Sequence, residues 1–248
     1  MNILISGALG KMGKKVFENT LNESDIKVVC GIDIKDDFSL PFPVYDSFDK
    51  VKEKVDVIID FSRPTSLNNI LAYALKNKVN AVLCSTGYSE EDIDKIKKAS
   101  EKIAIFRSSN MSLGVNVLID LVKKANLLLE NFDIEIIEAH HNQKVDAPSG
   151  TALMIADAIK EQQPDDFYVY GRSGNVGKRN KKEIGIHAIR GGNIVGKHQV
   201  IFAGENETLT ITHEANDRAM FAIGAIKASK FLLNKENGLF NMNDIIKG

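Results

Sequence analysis

Between positions 140 and 151 the chain gathers two histidines, a lysine, an aspartate and a Ser-Gly-Thr run: His140-His141, Lys144, Asp146 and Ser149-Gly150-Thr151. Histidine gives or takes a proton near neutral pH, and Lys144 adds a positive charge and a further proton donor. The segment leaves a β-like run and ends where a helical pattern begins. Ser149 in that place reads as a helix N-cap, so Gly150 and Thr151 fall in a first turn whose free N–H groups can bind a carboxylate. Taken alone, Ser149 would equally suit a structural cap. Adjacent histidines on an extended strand point to opposite sides, which argues against a shared metal ion. His187, His198 and His213 lie in separate β-like runs without zinc-ligand spacing, so no metal is expected.

A second chemical segment lies near the start. Gly7-Ala8-Leu9-Gly10-Lys11-Met12-Gly13 ends the first β-like run and opens a helix, with the spacing G-x-x-G-x-x-G. Leu9 takes the place of the middle glycine in the better-known G-x-G-x-x-G. Gly7 permits a tight turn, Gly10 lets the backbone approach a pyrophosphate, and Gly13 lets the helix pack close to the strand. The helix N-terminus adds unpaired N–H groups for the phosphates. Asp33 ends the second strand twenty positions after Gly13, where a carboxylate can hold an adenosine ribose. A carboxylate there repels a 2′-phosphate. The next residue is Ile34, not arginine, although Lys35 follows. NADH is therefore expected to be favoured over NADPH. Together the two segments suit a small acidic substrate that is protonated as it is reduced.

The elements that must position these residues follow from periodicity. Short β-branched runs at 2–6, 26–32, 55–61, 81–84 and 103–106 alternate with helical patterns such as 67–76 and 90–102. Continuous apolar strands separated by amphipathic helices predict βαβ units and a parallel sheet covered on both faces. After Asn110 the pattern changes to a long helix over 115–130, a strand over 133–139 and a helix over 151–160. A glycine-rich basic loop (171–182) and three β-like stretches at 184–190, 194–203 and 207–214 come next. Turns at Gly191-Gly192-Asn193 and Gly204-Glu205-Asn206 predict hairpins in a mixed or antiparallel sheet. A helix over 219–233 closes the pattern. The fold class is α/β: an N-terminal Rossmann-type dinucleotide-binding domain with a second, α+β domain carrying a mixed sheet.

Composition narrows the partners. The 248 residues carry a formal net charge of −1, with 44% hydrophobic and 26% charged residues. That balance argues against a general nucleic-acid or membrane-surface binder, both of which need a basic excess. No apolar run approaches the ~20 residues of a membrane span. The start of the chain goes directly into a strand without a cleavable leader. A cytoplasmic protein is expected. Cys30 and Cys84 sit in apolar runs and read as small buried hydrophobes.

The run Glu138-Ala139-His140-His141-x-x-Lys144-x-Asp146-Ala147-Pro148-Ser149-Gly150-Thr151-Ala152 resembles the signature of the 4-hydroxy-tetrahydrodipicolinate (dihydrodipicolinate) reductase family. The likeness continues at Asp60-Phe61-Ser62-Arg63-Pro64, Ser85-Thr86-Gly87-Tyr88, Ser109-Asn110-Met111-Ser112-Leu113-Gly114-Val115-Asn116, Arg190-Gly191-Gly192-Asn193-Ile194-Val195-Gly196 and Thr212-His213-Glu214-Ala215. It covers nearly the whole chain. The resemblance implies that Gly7, Ala8, Leu9, Gly10, Lys11 and Met12 wrap the dinucleotide phosphates and Asp33 holds the ribose. Cys84, Ser85 and Thr86, with Ser108, Ser109, Asn110 and Met111, would line the nicotinamide half. His140 would be a proton donor or acceptor, Lys144 the proton donor, His141 a substrate contact, and Gly150 and Thr151 the carboxylate site. The substrate would be a cyclic dicarboxylate imine on the diaminopimelate route to lysine. The family's chain crosses to its second domain near Asn110 and returns near Glu214, which implies domains of 1–109 with 215–248, and of 110–214. The second domain would build a homotetramer. Two departures stand out: Asn142-Gln143 replaces an Arg-His pair found in some members, and Cys84-Ser85 replaces a common Gly-Thr.

Two other readings fit parts of the pattern. An aldehyde dehydrogenase using a Cys84 thioester would need an exposed, activated thiol. A non-catalytic dinucleotide sensor would have no use for His140, His141 and Lys144 as proton donors.

Overall fold

The computed structural model describes residues 1–36 and 38–248. The chain begins with β1 (Asn2–Ser6), α1 (Lys11–Thr20), β2 (Lys27–Ile32), β3 (Val44–Tyr45) and β4 (Val57–Asp60). It continues through α2 (Leu67–Asn77), β5 (Asn80–Leu83), α3 (Glu90–Ser100) and β6 (Ala104–Arg107). The middle stretch holds α4 (Leu113–Leu128), β7 (Asp133–His140), α5 (Gly150–Lys160) and β8 (Phe167–Tyr170). Three long strands follow, β9 (Glu183–Arg190), β10 (Gly196–Ala203) and β11 (Thr208–Ala215). The last elements are α6 (Ala219–Leu232), β12 (Gly238–Phe240) and α7 (Met242–Ile246). Two compact units result: Met1–Leu113 with Ala219–Gly248, and Gly114–Arg218.

In the first unit, seven strands form one sheet in the order β12-β6-β5-β4-β1-β2-β3, and every pairing is parallel. Strand alternation divides its side chains between two cores. Ile3, Ile5, Val57 and Ile59 pack with Val16 of α1 and with Ala222, Ala225 and Leu232 of α6. Their neighbours Leu4 and Ile58 pack on the other face with Ile70 and Ala74 of α2 and Ile96 of α3. A sheet buried on both faces explains why its strands read as unbroken apolar runs.

The second unit holds a five-stranded sheet in the order β11-β10-β7-β9-β8. The β7–β9 and β8–β9 pairs are parallel, whereas β10 runs antiparallel to both β7 and β11. Helix α5, through Ala152, Ile155, Ala156 and Ile159, and α4, through Leu118 and Val122, pack with Ile134, Ile136, Ile184, Val200 and Phe202. The Gly204-Glu205-Asn206 turn is the hairpin its residues predict, since Ala203 pairs with Thr208. The Gly191-Gly192-Asn193 turn is not. Strand β7 lies between β9 and β10, so the 191–195 connection passes over the end of β7 instead of joining neighbours. Strands β3, β8 and β12 and helix α7 have no counterpart in the periodicity reading.

The face of this sheet away from α5 carries an ion network. Glu135 accepts from Arg172 Nη1 at 2.9 Å and Arg179 Nε at 3.1 Å, and meets His187 Nε2 at 2.7 Å. Arg172 also reaches Glu183 and Arg179 reaches Asp133, so both arginines pin the basic 171–182 loop to the sheet. Gly185, directly opposite Glu135, leaves the space for the carboxylate, because a Cβ there would overlap it. Burial opposes ionisation of Glu135, but hydrogen bonds from Arg172, His187 and Arg179 outweigh it and take the carboxyl from the ordinary 4.5 to about 2. A carboxyl with a depressed folded-state pKa stabilises above its unfolded value and loses that contribution as pH falls through the folded value. Glu135→Gln is therefore expected to lower the thermal midpoint at pH 6, by roughly 2 kcal/mol of stability. The difference from wild type should shrink as pH falls from 4.5 towards about 2. A gap that stays constant over a pH series of melting curves would contradict this.

Candidate active site

The glycine-rich segment forms the turn between β1 and α1. Gly7 has φ +78°, in the left-handed region that favours glycine. The N–H groups of Gly7 and Ala8 both donate to Ile32 O, at 2.8 and 3.2 Å, and Gly10 N–H donates to Gly7 O at 3.1 Å. Leu9 N–H donates to the Asp33 carboxylate at 2.8 Å. The turn thus spends its own amides on internal bonds. Lys11, Met12 and Gly13 form the first turn of α1, where N–H groups have no intrahelical acceptor. A Cβ at Gly13 would overlap Gly7 O and lie 2.8 Å from Ala8 Cα, so only glycine lets α1 sit this close to the turn.

Gly7, Leu9, Gly10 and Asp33 line a cavity of about 1030 Å³ whose other wall includes Ser62 and Arg63. Ala8 is buried beneath the turn. The remaining residues expected at this site follow the C-terminal ends of neighbouring strands: Cys84, Ser85 and Thr86 after β5, and Ser108 to Met111 after β6. That edge is where open parallel sheets bind ligands. Thr86 and Ser109 are exposed, while Cys84, Asn110 and Met111 are buried. Asn110 braces its own loop, its side chain accepting from Ser112 N–H at 2.8 Å and its carbonyl from Ser108 Oγ at 2.8 Å.

Asp60, fully buried at the end of β4, was not singled out by sequence reasoning. Its carboxylate accepts from Ser62 N–H (3.0 Å), Ser62 Oγ (2.5 Å) and Ser85 Oγ (2.8 Å). Ser85 therefore points its hydroxyl inward, and one carboxylate joins the loops after β4 and β5.

In the second unit, strand parity builds the other site. Glu138 and His140 continue the row of Ile134 and Ile136 towards α5, so both are buried. His198 shares the row of Val200 and Phe202 on β10 and lies directly opposite Glu138. Arg190 lies opposite His140. Glu138 takes Arg190 bidentately at 2.7 and 2.8 Å, meets His140 Nδ1 at 2.6 Å, and accepts from Ser149 N–H at 3.0 Å. Ser149 is the predicted N-cap: its hydroxyl accepts from Ala152 N–H at 3.2 Å and also meets His198 Nε2 at 3.1 Å. Burial keeps His198 neutral, its pKa pushed down to about 4.

Lys144 and His141 lie on the loop beyond β7. Lys144 N–H donates to His141 O at 3.1 Å, and its ammonium pairs with Asp146 at 2.8 Å. That pairing, a hydrogen bond from the lysine, holds the Asp146 carboxyl below its usual value, with help from the backbone N–H groups of Asp146 and Gly150. His141 Nε2 lies 3.3 Å from Arg218 Nη2, a guanidinium that sequence reasoning did not select. Gly150 is exposed and Thr151 half-buried at the start of α5. Asn142 and Gln143 are exposed and bond to each other at 3.1 Å. The unit thus brings together a buried histidine–carboxylate pair, a nearby ammonium and a helix N-terminus capped by Ser149.

Family profiles described as the N-terminus and the C-terminus of dihydrodipicolinate reductase match residues 1–111 and 114–246. The chain belongs to the dihydrodipicolinate reductase family. It is 52% identical to the 4-hydroxy-tetrahydrodipicolinate reductase of Caldanaerobacter subterraneus subsp. tengcongensis, covering 100% of this chain and 98% of the relative. Identity to the Clostridium tetani protein of the same name is 49%, over 98% and 96% of the two chains. A dipicolinate-bound dihydrodipicolinate reductase from Paenisporosarcina sp. TG-14 shares the fold with a TM-score of 0.81, at 26% identity and 98% coverage of both chains. A probable dehydrogenase from Thermotoga maritima has a TM-score of 0.63 at 12% identity, over 98% and 92% of the chains, a likeness of fold alone.

Membership of the dihydrodipicolinate reductase family disposes of the thioester reading, and the structure gives the physical reason. Burial, with the charge of Asp60 adding to it, raises the Cys84 thiol well above its usual value. A nucleophilic cysteine needs the opposite. No helix among the described residues is long and apolar enough to cross a membrane.

Proposed function

We propose that this reductase converts the dehydrated form of 4-hydroxy-tetrahydrodipicolinate to tetrahydrodipicolinate, with NADH preferred over NADPH, on the diaminopimelate route to lysine. The observation that carries the reading is the grouping of Lys144, the Glu138–His140 pair and the Ser149-capped α5 N-terminus within one unit. A dinucleotide suits the first unit, where the Gly7–Gly13 turn leaves no room for a Cβ at position 13 and opens onto the cavity bounded by Asp33. When bound, the dinucleotide supplies a hydride.

The residues of the chain do the rest. The first-turn N–H groups of Lys11, Met12 and Gly13 hold phosphate oxygens, and Asp33 holds the ribose. Cys84, Ser85 and Thr86, and Ser108 to Met111, line the nicotinamide half. Gly150 and Thr151 bind one substrate carboxylate at the positive end of α5. His141, with Arg218 beside it, contacts the second. Lys144 exchanges Asp146 for the substrate and gives the proton that quenches charge developing at the nitrogen end of the ring. A non-catalytic sensor would need none of these proton-handling groups. A cytoplasmic homotetramer belongs to the same reading, and a mass in solution of four times 27.3 kDa checks the assembly.

Oxidation of NADH and NADPH with substrate made in situ tests the activity. We expect kcat/KM to favour NADH by about tenfold, because the Asp33 carboxylate repels a 2′-phosphate. Asp33→Ala should erase most of that ratio. Turnover absent with both cofactors would remove the proposed function, whereas a ratio favouring NADPH would remove only the preference.

A further inference from the structure

One carboxylate in the second unit connects groups that the proposed reaction uses separately. Glu138 is wholly buried, yet four donors converge on its two oxygens: Arg190 Nη1 and Nη2, the Ser149 N–H and His140 Nδ1. Burial by itself would raise this carboxyl. The hydrogen bonds from Arg190, His140 and Ser149 outweigh burial and hold it below the usual carboxylate range. An ionised carboxylate has no hydrogen to give. The 2.6 Å contact therefore places the hydrogen on His140 Nδ1. Burial also lowers the pKa of His140, with the Glu138 hydrogen bond acting the other way, so the neutral ring prevails near pH 7.

We infer that Glu138 is a positioning residue that fixes His140 as the Nδ1–H tautomer and ties that ring to the N-terminus of α5. The remaining contacts leave the ring one seat. His198 meets it edge-on at a centroid distance of 5.2 Å, and a Cβ at Gly196 would come within 3.1 Å of Nε2. The backbone that carries it is tied to the 191–195 connection, with Gly191 N–H donating to His140 O at 2.9 Å. With Nδ1–H directed at Glu138, the other ring nitrogen presents a lone pair. His140 is then a proton acceptor in the resting protein, and the donor role falls to Lys144. This division rests on the proposed reaction, but the tautomer does not.

The experiment is nitrogen-resolved NMR of the histidine rings, with His140→Asn used to assign the signals, beside steady-state kinetics of the same proteins. Wild type should show a protonated Nδ1 and an unprotonated Nε2 at His140. Glu138→Gln keeps the shape but replaces one acceptor oxygen by a donor, so it should disturb the tautomer and lower kcat about 10–100-fold, with the dinucleotide KM nearly unchanged. In a His140→Asn background the same change should cost less than about twofold more. A wild-type ring protonated on Nε2, or a Glu138→Gln protein with the wild-type tautomer, overturns the inference. An equal kinetic loss in both backgrounds overturns it too, since that marks a purely structural role. If Glu138→Gln does not fold, the wild-type tautomer alone decides. A wild-type Nδ1–H tautomer without reductase turnover would sink the proposed function and leave the tautomer assignment standing.

Discussion

Lys144→Ala is expected to lower kcat by roughly 10²–10⁴-fold, the range over which a positioned proton donor contributes. The dinucleotide KM should stay within about twofold, because Lys144 belongs to the second compact unit and the glycine-rich turn to the first. Two functions are lost together in the alanine variant: the proton and the positive charge beside the carboxylate site. Lys144→Arg separates them. Guanidinium keeps the charge but holds its proton too tightly to act as an acid near neutral pH. Lys144→Arg should therefore recover much of the substrate KM while kcat stays low. The Lys144–Asp146 pair gives the arginine a partner in the resting state, so loss of folding is not expected. Recovery of kcat in the arginine variant would remove Lys144 as the donor.

Gly13→Ala should be a severely damaging single methyl group in the first unit. Its Cβ would overlap the Gly7 carbonyl and approach Ala8 Cα and Ala8 O to 2.8 Å, all backbone atoms that cannot swing aside. Relief requires α1 to move away from the turn, and Val16 of the same helix belongs to the core beneath the sheet. Overpacking of this kind costs about 3 kcal/mol, equivalent to a fall of roughly 5–10 °C in Tm. The displaced first turn should also raise the dinucleotide KM by at least about tenfold. Gly10→Ala makes the internal control. Its Cβ would sit 3.2 Å from the same carbonyl, a contact that a small shift relieves. Thermal melts and dinucleotide titrations of the two variants decide the matter, and equal losses would mean that helix approach is not what Gly13 protects.

Much of this was legible in the residues. The central parallel strands read as continuous apolar runs because the sheet is covered on both faces. Ser149 was recognisable as a cap, and His140 and Lys144 stood out by type as candidates for proton transfer. The topology around β7 was not legible, because Gly191-Gly192-Asn193 encodes a reversal without saying which strand the chain will lie beside. Strands β3 and β12, of two and three residues, are too short to carry a period. Glu138 was quoted as part of a motif but given no role, since its partner Arg190 lies 52 residues away. Parity could have revealed it. A glutamate and a histidine in step with Ile134 and Ile136 must turn towards the helix, where a carboxylate survives only with partners.

The placement of α6 has a consequence for how the protein is made. Ala222, Ala225 and Leu232 share a core with Ile3, Ile5 and Ile59, although the whole second unit separates them along the chain. During synthesis the first strands leave the ribosome with α1 but without α6, the other helix on that side of their sheet. Their apolar side chains wait until residues 219–248 arrive, whereas the second unit is contiguous and can close earlier. The half that is translated first is completed last, so truncations near the C-terminus should release aggregation-prone nascent chains and not merely shortened proteins.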